Sequence, residues 1–267
     1  MSRRSAVSTL ALAASAAAMS KQKVAAFALI GDRYHNSDYI RTALTKTLSK
    51  GLGLPIDFRD DVTLLNAREL KGRKLLIILR DGMLWPDGYA QSGPGWPEMV
   101  SDPPIAKPNS QPLYWITQEQ GRAVKDFVNE GGSALLYHNV TYISPHNEDF
   151  RDVLGAVTEQ HPPLRPFKVK VVNRNHPITK GVNDFVVTDE QHFMKYEKDP
   201  KYLLLQSVNE NGLAFKDLGT TSAAGWAYDY GKGRVCYLGP GHVITALWNP
   251  EYEKLQQNAV KWLLREI

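Results

Sequence analysis

Short apolar runs and amphipathic stretches alternate along the first half of the chain. "KVAAFALIG", Lys23 to Gly31, is a nearly continuous apolar run stopped by glycine, the pattern of a strand covered on both faces. "SDYIRTALTKTLSKG" then changes the period. Ile40, Leu44 and Leu48 fall on one helical face, Ser37 stands where an N-cap is wanted, and Gly51 follows the end. "PIDFRDD" predicts a short second strand, and "RKLLIILRDG" a third, apolar on both faces and ended by Arg80-Asp81. "TQEQGRAVKDFVNEGG" predicts a helix with Thr117 and Gln120 as its capping box and Val124, Phe127 and Val128 as its apolar stripe. "SALLYH" predicts a fourth strand whose last residue is His138. This alternation predicts an α/β protein with a mainly parallel sheet and helices on both faces.

The second half reads as more β-rich. Strands are expected in "FKVKVV", "DFVVTDEQHF", "YLLLQSV" and "AAGWAYDYGKGRVCYLGPGH". Tyr230 to Gly233 fits a hairpin turn. "PEYEKLQQNAVKWLLREI" closes the chain as a helix with Leu255, Ala259 and Trp262 inward. Between the third strand and the capped helix lies a long Pro- and Gly-rich insert, from Asp81 to Trp115. It carries Trp85, Tyr89, Trp96, Tyr114 and Trp115, which suggests an ordered lid. No internal repeat or flexible linker divides residues 21–267, so one domain is expected there.

Composition narrows the function classes. The net charge of +4 comes without a dense Lys/Arg run, which argues against nucleic acid as a partner. Cys236 is the only cysteine, which excludes an internal disulfide and a multi-cysteine metal site; its apolar setting predicts a small buried hydrophobe. Residues 1–20 pair Arg3 and Arg4 with an Ala-rich apolar run and small-residue cleavage motifs, the layout of a twin-arginine export signal. A bacterial periplasmic location is expected if that signal acts, and a cytoplasmic one if it does not. The run is too short and Ala-rich to span a membrane, and no other segment resembles a span.

In open α/β sheets, ligands bind outside the carboxyl ends of the strands. Three predicted strand ends carry polar groups: Asp32, His35 and Asn36 after the first, Asp81 after the third, and His138 after the fourth. Asp189, Glu190 and His192 follow a later strand, and "RVCYLGPGH" ends on His242. His176 lies in "NHPI", a turn fixed by proline, and reads as structural; His146 and His161 lie in polar, Pro-flanked loops and read as solvated.

The segments "KVAAFALIGDRYHN", "EGGSALLYH", "NHPITKGVNDFVVTDEQHF" and "AGWAYDYGKGRVCYLGPGHVITALWNPEYEKLQQNAVKWLL" resemble the ThuA-like, trehalose-utilisation family of the class I glutamine amidotransferase-like superfamily. The likeness runs from about Lys23 to the end. It implies a flavodoxin-like sheet flanked by helices, and a part in the metabolism of trehalose-like disaccharides or their 3-keto derivatives. Amidotransferases of this superfamily hold a nucleophilic Cys at a strand-to-helix elbow. Here that neighbourhood reads Tyr137-His138-Asn139-Val140, with no thiol, which argues against glutaminase chemistry.

Two chemistries remain open for the converging residues. His35, His138, His242 and Glu190 could hold a divalent metal, since imidazole and carboxylate suit Zn, Mn, Fe or Ni. Alternatively His138, His242 and Glu190 could transfer protons next to a carbonyl without metal, as in an isomerase or lyase. Asp32, His35, Asn36, Asp81 and Trp226 are the candidate sugar contacts, the tryptophan by stacking on C–H faces. The competing reading is a non-catalytic sugar-binding or accessory protein that keeps the pocket.

Overall fold

The computed structural model describes residues 25–86, 111–212 and 214–267. The expected export signal lies outside the described residues, as does the middle of the aromatic insert with Tyr89 and Trp96.

In chain order the strands are β1 (Ala26–Ile30), β2 (Ile56–Arg59), β3 (Leu75–Leu79), β4 (Met83–Leu84), β5 (Leu113–Tyr114), β6 (Ser133–Tyr137), β7 (Ala156–Gln160), β8 (Arg165–Val171), β9 (Phe185–Asp189), β10 (Phe193–Tyr196), β11 (Leu203–Val208), β12 (Thr221–Tyr230) and β13 (Gly233–Leu238). The helices are α1 (Ser37–Leu44), α2 (Ala67–Leu70), α3 (Gln118–Asn129), α4 (Glu148–Leu154), α5 (Ile244–Leu247) and α6 (Pro250–Leu263). The main sheet has the order β2-β1-β3-β6-β13-β12-β11-β8-β9. Pairing is parallel from β2 through β13 and antiparallel from β13 through β9, so β12 and β8 run against the other strands. The fold is the expected α/β architecture, with a largely co-directional sheet flanked by helices.

Strand periodicity explains the two-sided burial. Side chains alternate across a strand, so Ala26, Ala28 and Ile30 join one core with Ile40, Leu44, Leu255 and Ala259. Phe27 and Leu29 join the other with Val124, Val128, Phe150 and Tyr237. Helices α1 and α6 thus cover one face, α3 and α4 the other. Thr117 and Gln120 form the predicted capping box on α3. The hairpin turn is also as read, with Gly231 at φ 57 between β12 and β13. Cys236 is buried in the first core, as its apolar setting suggested.

Local boundaries differ in informative ways. Asn36, rather than Ser37, caps α1: its side chain accepts from the Asp38 N–H. A π-helical turn, Thr45–Lys50, continues α1, and the chain leaves this helix past Gly51, at Gly53 with φ 68. Strand β6 ends at Tyr137, one residue earlier than expected, and His138 opens a 3₁₀ turn with φ 50. Strand β7, not evident in the sequence, pairs with β10 in a small separate sheet. Register shifts within β11 mark bulges against β12, and bulges bend strands. The end of β9 returns against the loop after β13, where Asp189 accepts from the Gly241 and His242 N–H groups at 3.0 and 3.1 Å.

Candidate metal centre

Four strand ends build the site. The loop after β1 supplies Asp32 and His35; the elbow after β6 supplies His138 and Asn139. The loop after β13 supplies His242, and the segment after β9 supplies Glu190. His35 is 4 % exposed and His138 is fully buried.

Hydrogen bonds fix which nitrogen of the His35 and His138 rings faces inward. His35 Nδ1 lies 2.8 Å from Asp32 Oδ1. A carboxylate only accepts, so Nδ1 carries the proton and Nε2 presents its lone pair. His138 Nδ1 lies 2.9 Å from the Gly239 carbonyl, which fixes the same tautomer. Its Nε2 is buried without a hydrogen-bond partner. His35 Nε2 faces His242 Nδ1 at 3.0 Å. Glu190 Oε2 stands 3.1 Å from His242 Nδ1 and 3.4 Å from His138 Nε2. One donor atom from each of His35, His138, Glu190 and His242 lies within 4.8 Å of all the others. Around a metal bonded at about 2.0–2.1 Å, the corners of a tetrahedron stand roughly 3.3–3.4 Å apart. The three spacings of 3.0, 3.1 and 3.4 Å lie close to that edge length.

The surrounding groups hold these donors in place. Asp32 also accepts from the Tyr34, His35 and Asp81 N–H groups and from Asn139 Nδ2. A carboxylate behind a histidine orients the ring and raises its basicity. Gly241 packs against His138: a Cβ there would sit 2.7 Å from the His138 Cβ. Tyr237 donates to the His138 carbonyl at 2.8 Å, fixing the elbow from below.

The electrostatics are those of a dense cluster. Burial pushes the Glu190 carboxyl up, but the imidazoles of His138, His192 and His242 gathered around it outweigh that and hold it well below the usual carboxylate range. Burial likewise pushes Asp32 up, and His35 with the backbone N–H groups brings it down to about 2. Burial lowers His35, against the pull of Asp32. Burial also works to lower His138, but Glu190 and Asp189 raise it overall. Asp81 runs the other way: burial and then the Asp32 charge push it up to about 7.

A cleft of about 350 Å³ opens beside the cluster, lined by residues that include His35, Asp81, Asn139, Tyr142, Glu190 and His192. Of the expected sugar contacts, His35 and Asp81 face it. Asp32 does not: its side chain is fully covered and serves His35. Asn36 is exposed but committed to capping α1. Trp226 is displaced furthest from its expected part. It is fully buried, donates to the Leu154 carbonyl at 2.8 Å and stacks on Tyr237, so it is core and meets no ligand. Trp115 is also buried, its indole N–H donating to the Asp81 carbonyl at 2.7 Å. His176 is structural, accepting from the Ile178 N–H.

His161, read as solvated, instead stacks on His192 with ring centroids 4.8 Å apart. His192 was not assigned to the site by sequence, although a signal was available. Glu190 and His192 are two apart on an extended segment, which puts both side chains on one side. Asn139 and Tyr142 carried no such signal.

The sequence model of the ThuA family, described as trehalose utilisation, matches residues 105–263, more than half of the 267 residues. The chain belongs to the ThuA family. A ThuA-like protein from Bacteroides uniformis superposes with a TM-score of 0.63 at 20 % identity, covering 91 % of this chain and 93 % of that one. A second, from Parabacteroides merdae, gives 0.65 at 14 %, covering 92 % and 91 %. A β-galactosidase from Rahnella sp. R3 gives 0.51 at 16 %, covering 91 % of this chain and 32 % of that one. At these identities the likeness speaks for the fold alone. No curated protein matches the ThuA chain in sequence. Among the described residues no helix is long and apolar enough to cross a membrane.

Proposed function

We propose that this ThuA protein is a metal-dependent enzyme of carbohydrate metabolism that acts on a disaccharide or 3-keto-glycoside. The observation that carries the reading is the set of converging groups: one donor atom from each of His35, His138, His242 and Glu190 lies within 4.8 Å of the others, with Asp32 and the Gly239 carbonyl behind two of the rings. Imidazole and carboxylate together suit Zn, Mn, Fe or Ni. A divalent ion held there would supply Lewis-acid polarisation of a sugar carbonyl or hydroxyl oxygen.

The chain's own residues do the remaining work. Asp32 keeps the proton of His35 on Nδ1, away from the donor side. Asp189 holds the Gly241 and His242 backbone, setting the third ring. Asp81 is fixed in the cleft by its own N–H on Asp32 and by the Met83 N–H on its Oδ1. A carboxyl that keeps its proton to about pH 7 is suited to exchange one with a substrate oxygen or an activated carbon. Proton transfer by His138 itself is disfavoured, because the ring is fully buried and does not line the cleft. Glutaminase chemistry has no thiol: Cys236 is buried in the core and burial raises its pKa further.

The test follows sugars by NMR. Trehalose and 3-keto-glycosides are incubated with protein stripped of metal and with added Zn, Mn or Ni, beside a His35→Ala control. Turnover that requires both metal and His35 is expected. Saturable binding with no product under any metal would overturn the enzyme reading and leave a sugar-binding protein.

A further inference from the structure

Three imidazoles and Glu190 account for the first centre, yet two more imidazoles crowd the same carboxylate. His192 Nε2 lies 3.4 Å from Glu190 Oε2. His161 Nδ1 lies 3.6 Å from Glu190 Oε1 and donates to the Pro162 carbonyl at 3.0 Å, a hydrogen bond that a metal held at Nδ1 would replace. The two rings are parallel to within 8°. His192 is 5 % exposed, and its Nδ1 is buried with no hydrogen-bond partner. Its ring stands 4.2 Å, centroid to centroid, from that of His138.

Such packing is costly as plain structure. A buried ring nitrogen without a partner loses its hydration with no hydrogen bond in return. One donor atom from each of His161, Glu190 and His192 lies within 4.8 Å of the others, and His161 and His192 both line the cleft. His192 stands at the Glu190 oxygen that His138 and His242 also approach and His161 at the other, which places the carboxylate to bridge two ions; in two-metal sites these stand about 3.5–4 Å apart.

We propose that His161, Glu190 and His192 form a second divalent-metal position, joined to the first through Glu190 and open to the cleft. It rests on the first centre being a metal site. The first position is enclosed by four protein donors. The second has three and faces the cleft, which leaves room for water or a substrate oxygen, while the first, whose His35 and Glu190 also line the cleft, would take a substrate oxygen by expanding its coordination.

The experiment counts ions. Full-length protein is stripped with chelator, reconstituted with Zn(II) or Mn(II), desalted and assayed for metal per chain. The Mn(II) form is also examined by EPR. The wild type should retain two equivalents with a spin-coupled Mn spectrum. His161→Ala, at a partly exposed position, should retain one and lose the coupling; His192→Asn should do the same. His35→Ala should lose the first equivalent. One equivalent in the wild type, or two that His161→Ala leaves in place, would overturn the second position while sparing the first. None at all would overturn both.

Discussion

Replacing Asp32 by Asn tests how much the centre owes to the carboxylate behind His35. The side chain keeps its size but loses its charge, and one oxygen becomes an N–H donor. Every position around Asp32 demands an acceptor. Oδ1 takes the Tyr34 N–H, the His35 N–H and His35 Nδ1, and Oδ2 takes the Asp81 N–H and Asn139 Nδ2. Whichever way the amide turns, it sets a donor against donors. The variant therefore loosens both the tautomer and the orientation of His35. Loss of such a partner typically weakens metal binding about 10–100-fold. At about 1.4 kcal/mol per tenfold, that is roughly 1.4–2.8 kcal/mol. The assay is competition for Co(II) or Zn(II) against a chromophoric chelator, with circular dichroism to confirm that the measured population is folded. An affinity within about twofold of the wild type, in a folded variant, would refute the reasoning that Asp32 orients His35 for a metal.

Other outcomes follow from the same geometry. Gly241→Ala drives a Cβ to 2.7 Å from the His138 Cβ and 3.1 Å from its Cγ, so it should displace the imidazole, cost about 1–3 kcal/mol in urea unfolding and reduce bound metal. An unchanged unfolding midpoint and metal content would show that the contact relaxes freely. Asp81 is raised from 3.8 to about 7, so the folded state holds its proton more tightly than the unfolded chain. Its contribution to stability is complete below about pH 4 and is lost as pH rises through about 7. The loss is up to roughly 4 kcal/mol at 1.36 kcal/mol per pH unit. Asp81→Asn should flatten the fall of Tm across that window, and a parallel fall in both proteins would contradict the assignment. Trp226→Ala should cost about 3–5 kcal/mol while leaving sugar affinity of the folded protein unchanged, since Trp226 is core. A selective loss of sugar binding would return it to the site.

The sheet was legible because its residues leave little choice. Leu75–Leu79 is five apolar residues in a row, and only a strand covered on both faces buries all of them. Thr117 with Gln120 announced α3 for an equally local reason. The site was legible where a strand end carried its own polar residue, as at His35, His138, Glu190 and His242. It was not legible where proximity depends on how distant strands return. His161 follows β7, a strand too short and too polar at its end to read, and meets His192 through the small β7–β10 sheet. Trp226 misled for the opposite reason. An aromatic in an alternating strand looks the same whether its face meets the cleft or the core, and only the stacking on Tyr237 decides it. Asp32, expected as a sugar contact, lies behind His35 instead, because sequence cannot distinguish a group that faces the cleft from one that holds the group that does.

The most direct test of the account is X-ray absorption at the Zn K-edge on full-length protein reconstituted with one equivalent of Zn(II), beside His35→Ala. The account predicts nitrogen and oxygen scatterers at about 2.0–2.1 Å, outer-shell scattering from several imidazole rings, and a changed spectrum with fewer imidazole scatterers for the Zn that His35→Ala retains. Protein that retains no Zn, or a spectrum unchanged by His35→Ala, would contradict it.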